Sequence, residues 1–161
     1  MAKATPATKV LDSAKATYSL HTYEYDPSAQ KVGMQAAEEM GVEPDRVLKT
    51  LMVLVDSGAG TNAACVLIPS NCELSMKKVA AAFGGKSAKM MPPAEAEKAT
   101  GYKVGGISPL GRKKTSPVAV DELAMQFDEV FLNGGQRGLQ VKIKPDELVR
   151  VLNAKVLSLV A

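Results

Sequence analysis

Lys49 is the residue whose position most directly suggests chemistry. It is the only charged residue between Arg46 and Asp56, within the apolar run Val47 to Val55. An ammonium group in such a strand is costly to bury without a partner, and a ligand phosphate or carbonyl oxygen would supply one. The structural alternative is a lysine whose aliphatic stem lies on apolar surface while its ammonium group reaches water.

A glycine-rich segment, Gly101 to Gly111, is the second candidate, with glycine or proline at five of its 11 positions. The backbone N–H groups of Gly105 and Gly106 could hold an anion or a developing oxyanion. The segment matches neither GxGxxG nor GxxxxGK[ST], so the common nucleotide sites are unsupported. The structural alternative is a corner at which a barrel strand bends. Arg112, Lys113 and Lys114 follow directly and suit contact with phosphates.

The remaining polar candidates indicate no protein nucleophile and no metal. Cys65 lies in an apolar run and Cys72 in a loop without a paired histidine, so a thiol mechanism is disfavoured. His21 has no metal-ligand spacing and is interpreted as structural. Asn133 to Gly138 could be only a hairpin turn, because Asn-Gly is a common turn signal. We therefore expect no cofactor.

Charge is distributed unevenly along the chain. Between Leu74 and Val118 there are nine basic and two acidic residues, a net +7, whereas the remainder has 11 basic and 15 acidic residues, a net −4. Clustered lysine and arginine attract polyanions without any sequence code. A solvated charged face is the alternative.

Size and composition favour one domain over residues 1–161. A chain of 161 residues, 46% of them hydrophobic, buries roughly 70% of its unfolded surface and needs neither disulfides nor metal to fold. No apolar run has the ~20 residues of a membrane span, and no secretory signal follows Met1. These features predict a cytoplasmic protein without a membrane partner.

Periodicity and turn signals predict alternating short helices and strands. Capping residues, prolines and glycines set their ends. The predicted helices are Pro6 to Ala14, Val32 to Met40, Ser75 to Phe83, Ala94 to Thr100 and Pro145 to Asn153. The predicted strands are Tyr18 to Tyr25, Val47 to Val55, Ala63 to Ile68, Lys86 to Met91, Gly105 to Ile107, Val118 to Val120, Glu129 to Leu132 and Leu139 to Ile143. This order predicts an α/β (α+β) fold with a curled, barrel-like, mixed and largely antiparallel sheet and helices packed outside.

Four segments together resemble the YbaK-type editing domains, relatives of the insertion domain of bacterial prolyl-tRNA synthetase. They occur in the family's order and span nearly the whole chain. The segments are His21 to Glu24, Val47 to Leu51, Thr100 to Gly111 and Gly134 to Leu139.

The resemblance implies hydrolysis of the ester that joins a wrong amino acid to a tRNA, with cysteinyl-tRNA(Pro) as the expected substrate. It implies tRNA rather than DNA as the partner, and prolyl-tRNA synthetase as a candidate second partner. Lys49 is the most important implied site residue, with Gly105 and Gly106 as expected oxyanion donors. The implied substrate-binding residues are Tyr23, Thr50, Ser108, Pro109, Asn133 and Gly135, and the expected tRNA contacts are Arg112, Lys113 and Lys114.

Two positions depart from the family pattern. Asn133 stands where many relatives have serine, and Gln140 stands where a carboxylate is common. These departures leave open a deacylase for a different small amino acid. Two other classes also remain open: a non-catalytic RNA-binding module, which the +7 segment would suit, and a domain that recruits a synthetase.

Overall fold

The structure, a computed structural model, describes residues 4–28 and 32–161. The helices are α1 (Pro6–Ser13), α2 (Val32–Met40), α3 (Met76–Ala82), α4 (Pro93–Thr100) and α5 (Pro145–Leu152). The strands are β1 (Tyr18–Thr22), β2 (Leu48–Asp56), β3 (Thr61–Pro69), β4 (Ser87–Met90), β5 (Val118–Asp121), β6 (Val130–Asn133), β7 (Leu139–Ile143) and β8 (Lys155–Leu157). Two short 3₁₀ helices cover Pro44–Arg46 and Glu122–Gln126.

The strands form two sheets that meet along β2 and β6. One sheet has the order β1-β7-β6 and is antiparallel throughout. The other has the order β4-β2-β3-β5-β8, with antiparallel pairing around β2 and parallel pairing of β5 with β3 and β8. A bridge between Val47 and Phe131 joins the sheets. The predicted mixed sheet is confirmed, as two joined sheets rather than a closed barrel.

The main apolar core lies between the sheets, α1, α4 and α5. It includes the fully buried side chains of Leu67, Leu132 and Leu148. A smaller cluster of Ala36, Ala37, Val47 and Phe131 lies between α2 and the junction of the sheets. Helix α2 therefore covers the face of β1-β7-β6 opposite the main core.

Helix α1 is tied to the turn between β6 and β7. Thr5 caps the helix by accepting a hydrogen bond from the Thr8 amide, and its hydroxyl donates to the Gly134 carbonyl at 2.6 Å. Gly111 passes so close to the start of α1 that a Cβ atom there would lie 2.7 Å from the Pro6 backbone. These contacts fix the turn and the end of the glycine-rich segment against one helix.

Two sequence predictions about the elements were wrong, and one strand was missed. Gly105 to Ile107 is not a strand, because Gly105 has a left-handed φ of +92° and the Gly106 amide closes a turn to the Lys103 carbonyl. The first strand ends at Thr22 rather than Tyr25. Strand β8 was not predicted, because its three residues, Lys155–Leu157, carry no alternation long enough to detect.

Candidate functional site

A cleft of about 330 Å³ opens where β2, β4 and α4 face the glycine-rich loop and the ends of β6 and β7. Its lining is mostly apolar, with a few polar groups. The lining residues are Gly33, Leu48, Lys49, Thr50, Leu51, Met52, Ser70, Met90, Met91, Pro93, Ala96, Val104, Gly105, Ile107, Asn133 and Gln140. Four of the predicted site residues thus meet in one cavity: Lys49, Thr50, Gly105 and Asn133.

Lys49 is the only charged residue among the described residues that line the cleft. It is half-buried on β2, opposite Ile68 on β3. Helix α2 starts so close to it that a Cβ atom on Gly33 would overlap the Ser70 hydroxyl and lie 3.8 Å from Lys49 Cβ. The base of the Lys49 side chain therefore lies between strand β2 and the start of helix α2.

The glycine-rich loop is held by side chains that bind its backbone. Asn133 Nδ2 donates to the Gly105 carbonyl at 3.2 Å, and Arg137 Nε donates to the Val104 carbonyl at 2.9 Å. The Val104 amide donates to the Glu97 carboxylate at 2.8 Å, and the Tyr102 hydroxyl donates to the Leu110 carbonyl at 2.6 Å. The loop therefore has a fixed conformation although it belongs to no sheet.

The two predicted oxyanion donors differ in availability. The Gly106 amide already donates to the Lys103 carbonyl at 2.8 Å, and Gly106 lies against the backbone of Gln136 and Arg137. The Gly105 amide makes no hydrogen bond within residues 4–28 and 32–161. Gly105, which lines the cleft, is thus the better placed of the two.

Asn133 links the β6–β7 turn to the glycine-rich loop. Its Oδ1 accepts hydrogen bonds from the amides of Gly135, at 2.7 Å, and Gln136, at 3.2 Å, while its Nδ2 binds Gly105. Gly135 lies against the Tyr102 ring, where a Cβ atom would be 2.8 Å from a ring carbon, and does not line the cleft. The segment is the predicted hairpin turn and also supports the site.

The other predicted substrate-binding residues lie beside the cleft rather than along it. Ser108 and Pro109 are buried, and the Ser108 hydroxyl accepts a hydrogen bond from the Leu110 amide at 3.2 Å. The Tyr23 hydroxyl is buried and finds no hydrogen-bond partner in the described part of the chain. Burial raises the pKa of Tyr23, against a smaller opposing effect of the Gly138 backbone, so this phenol stays protonated at neutral pH.

The basic triplet is divided between two roles. The Arg112 guanidinium donates to the Pro109 carbonyl at 2.9 Å and to both the hydroxyl and the carbonyl of Ser116, so it stabilises the loop. Lys113 and Lys114 are exposed, with their amides bonded to the end of α4. Of the three basic residues, only Lys113 and Lys114 are exposed and can contact a partner.

The thiols and the imidazole have structural surroundings. Burial raises the pKa of Cys65 to about 11, and burial also raises the pKa of Cys72, so both remain neutral thiols at physiological pH. His21 bonds to the Ser19 hydroxyl at 3.0 Å and packs edge-on against Phe131. Across the described ranges, no group of three His, Cys, Asp or Glu side chains could hold a metal ion.

None of the described helices has the length and apolarity of a membrane span.

Sequence reasoning missed Tyr25 as a residue of this region. Its ring lies under the Arg137 guanidinium at 5.3 Å, and its hydroxyl lies against Gly105. The only signal was its spacing of two from Tyr23, which places both on one face of an extended segment. Gln140, noted only as a departure from a pattern, is a buried residue of the cleft itself.

The contact between Tyr25 and Gly105 predicts a sharp cost for a side chain at residue 105. A Cβ atom there would lie 2.6 Å from the Tyr25 hydroxyl, at a left-handed φ. We expect Gly105→Ala to lower the free energy of unfolding in urea by about 3 kcal/mol, from backbone strain plus overpacking. Gly84→Ala is the control, because Gly84 has a φ of +68° with open space around it, and it should cost only about 1 kcal/mol.

Removing the Tyr25 hydroxyl should relieve the steric part of the destabilisation caused by Gly105→Ala. The Gly105→Ala/Tyr25→Phe double variant should be destabilised by less than the sum of the two single changes. Additive changes would show that the tyrosine is not what excludes a side chain at residue 105.

Comparison with known proteins bears on this site. The profile of the Aminoacyl-tRNA editing domain family matches residues 26–151. The chain is 33% identical over 152 residues to the "Putative Cys-tRNA(Pro)/Cys-tRNA(Cys) deacylase EbsC" of Enterococcus faecalis, covering 94% of this chain and 90% of that protein. It is 31% identical over 133 residues to the uncharacterized protein YwhH of Bacillus subtilis, covering 83% and 82%.

A solved structure shares the fold. The "Crystal structure of a putative trans-editing enzyme for prolyl tRNA synthetase" superposes on this chain with a TM-score of 0.79 and 22% identity, covering 99% of both chains. The family profile spans β2, the glycine-rich loop and the β6–β7 turn, which are the elements that build the cleft. The chain therefore belongs to the aminoacyl-tRNA editing domain family.

Proposed function

We propose that this protein is a trans-editing hydrolase that removes the amino acid from mischarged tRNA, with cysteinyl-tRNA(Pro) as the main substrate and cysteinyl-tRNA(Cys) as a second one. The observation that carries this proposal is the composition of the cleft, in which Lys49 and the Gly105 backbone share one small apolar cavity. A cleft of about 330 Å³ suits a small aminoacyl group, and an ammonium group suits the phosphate or ribose oxygens of a tRNA end.

The protein need not supply the nucleophile. The described cleft lining includes no Cys, His, Asp or Glu, and the Ser70 hydroxyl donates its proton to the Val47 carbonyl. In a cysteinyl ester the substrate thiolate can attack its own carbonyl carbon. The carbon–sulfur bond that forms displaces the ribose oxygen, which takes up a proton, and water then opens the resulting thiolactone. This route asks the protein only for orientation and for charge stabilisation.

In this mechanism Lys49 binds the terminal phosphate or ribose oxygens, and the Gly105 amide binds the oxygen that becomes negative. Gly106 acts indirectly, because its amide maintains the turn that presents Gly105. Tyr23, Ser108, Pro109, Asn133 and Gly135 shape and support the pocket. For an amino acid without a thiol, a water molecule oriented by Thr50 would have to replace the substrate sulfur.

The tRNA body would bind the basic segment between Leu74 and Val118. Lys113 and Lys114 are exposed beside the glycine-rich loop, with Lys77, Lys78, Lys86 and Lys89 as the next candidates. Such contacts read phosphate and not base sequence. Selection of tRNA(Pro) would then require a partner, and prolyl-tRNA synthetase in the cytoplasm is the partner that we propose.

Lys49→Met tests the assignment of the charge. The substitution keeps an unbranched stem and removes the ammonium group, so we expect deacylation of cysteinyl-tRNA to fall about 100-fold while the far-UV circular dichroism spectrum is unchanged. Lys9→Met, on the exposed face of α1, is the matched control and should retain full activity. Comparable turnover by Lys49→Met would overturn the role given to Lys49.

Charge reversal tests the tRNA surface. Lys113→Glu/Lys114→Glu should reduce the slope of log Kd against log salt by about two, because two phosphate contacts are lost. Lys9→Glu/Lys144→Glu makes the same change in net charge outside the basic segment and should leave the slope intact. If both pairs shift the slope equally, net charge rather than this surface governs binding.

The identity of the nucleophile can be tested with two esters in single-turnover assays. Seryl-tRNA(Pro) should be cleaved about 100-fold more slowly than cysteinyl-tRNA(Pro) but bind about equally, because the hydroxyl is similar in size and far less nucleophilic at neutral pH. Cys65→Ser/Cys72→Ser should cleave both esters like the wild type. Equal rates for the two esters would require a protein-positioned water instead of the substrate thiol. Alanyl- and prolyl-tRNA assayed alongside would separate a deacylase for another small amino acid from a module that binds without hydrolysis.

A further inference from the structure

Arg137 is an exposed residue whose guanidinium is nevertheless held in place. Its Nε donates to the Val104 carbonyl at 2.9 Å, and its Cζ lies 5.3 Å from the centre of the Tyr25 ring. The Tyr25 hydroxyl in turn lies against Gly105. An exposed arginine normally loses side-chain entropy when it binds a ligand, whereas these contacts restrict Arg137 beforehand.

Most of the hydrogen-bond donors of this guanidinium are unused. Arginine has five N–H groups, and the Val104 carbonyl accepts from one of them. The four on Nη1 and Nη2 have no hydrogen-bond or ion-pair partner among the described residues, and the nearby Glu97 carboxylate binds the Val104 amide instead. The terminal nitrogens of Arg112 and Arg150, by contrast, bond to oxygens of the protein. A fixed fork of free N–H groups matches the geometry of a phosphate.

The guanidinium lies at the mouth of the cleft. Val104 and Gly105, the loop residues that Arg137 and Tyr25 contact, both line the cleft. Val104 is 42% exposed, so the cleft opens to solvent at this point. A nucleic acid strand whose last nucleotide reaches Lys49 inside the cleft would therefore have its preceding phosphodiesters outside, on the side where Arg137 lies.

We propose that Arg137, held on the Tyr25 ring, binds the outer phosphodiester of the tRNA 3′ end, the one that joins the second and third nucleotides from the terminus. The inference rests on the proposed function, because it takes an aminoacyl ester at the end of an RNA strand as the ligand. The contact would select for esters carried by a polynucleotide over the same ester on a mononucleotide. It is separate from the surface of Lys113 and Lys114, which we assign to the tRNA body.

Three small esters isolate this contact from the tRNA body. The first is 3′-cysteinyl-AMP, which carries the thiol and the phosphate assigned to Lys49. The second is the 3′-cysteinyl CCA trinucleotide, which adds the outer phosphodiester. The third is the same trinucleotide with an uncharged methylphosphonate as its outer linkage. The quantity to measure is kcat/KM for each trinucleotide divided by kcat/KM for the AMP ester, because a general loss of activity cancels in this ratio.

Arg137→Gln removes the fork and keeps the internal bond. Glutamine Nε2 is as many bonds from Cα as arginine Nε, so it can still donate to the Val104 carbonyl. We expect the ratio for the charged trinucleotide to fall about tenfold, mainly through a higher KM, and the methylphosphonate ratio to stay at its wild-type value.

Arg46→Gln is the matched control. Arg46 has the same arrangement, with its Nε on the Glu129 carbonyl at 3.3 Å and its Cζ 5.6 Å from the centre of the Phe131 ring. It does not line the cleft and does not contact the glycine-rich loop, so both ratios should equal those of the wild type.

A wild-type ratio for the charged trinucleotide in Arg137→Gln would overturn the contact. An equal fall for both trinucleotides would also overturn it, because the nucleobases rather than the phosphate would then be bound. If Arg137→Gln failed to fold, Tyr25→Leu should lower the charged ratio about threefold and Tyr25→Phe should keep it, since only the second retains the ring. Failure of the proposed function would look different, because the wild-type protein would leave cysteinyl-tRNA itself intact.

Discussion

The backbone of the glycine-rich loop has no neighbouring strand to pair with, and the cleft depends on how its carbonyl groups are satisfied. Asn133 and Arg137, both on the β6–β7 turn, donate to the carbonyls of Gly105 and Val104. Side chains from one turn thus replace the strand that a sheet would provide. The glycines are required by the same arrangement, since Gly106 lies against the turn's backbone with no room for a Cβ atom. One wall of the cleft is therefore built from two loops that fix each other.

The electrostatics of the cavity follow from the residues that this framework brings together. Among the described lining residues, a single ammonium group and several uncharged oxygens share an apolar cavity, and burial raises the pKa of the protein's two thiols. Such a site can orient and polarise an ester but has no strong base of its own. In the mechanism proposed above, the nucleophile therefore belongs to the bound ester, and the amino acid that is recognised is also the one that can react.

Much of this arrangement could be predicted from the sequence, and the limits have physical causes. Lys49 stood out because a charge in an apolar strand is rare, and the strands around it were predicted because their alternation and turn residues are local signals.

Gly105 to Ile107 was wrongly predicted as a strand, because short apolar–glycine segments look alike whether the backbone is extended or turned. The Gly106 amide and the Arg112 guanidinium both form hydrogen bonds within the loop, and residue types alone could not predict this. These bonds depend on the φ angles of the loop and join residues at most four positions apart. Gln140 required the register of three strands, which brings together positions that are far apart in the chain.

The hydrogen bond from the Thr5 hydroxyl to the Gly134 carbonyl joins residues 129 positions apart in the sequence. Strand β1 also pairs with β7, which lies near the other end of the domain. During synthesis the first helix and strand emerge long before their partners exist. Native pairing of α1 and β1 must wait until β7 has been synthesised, so this fold is completed by non-local contacts, which favour slow closure. The glycine-rich loop is held by the same late-arriving turn, so we expect it to be among the last parts of the fold to become ordered.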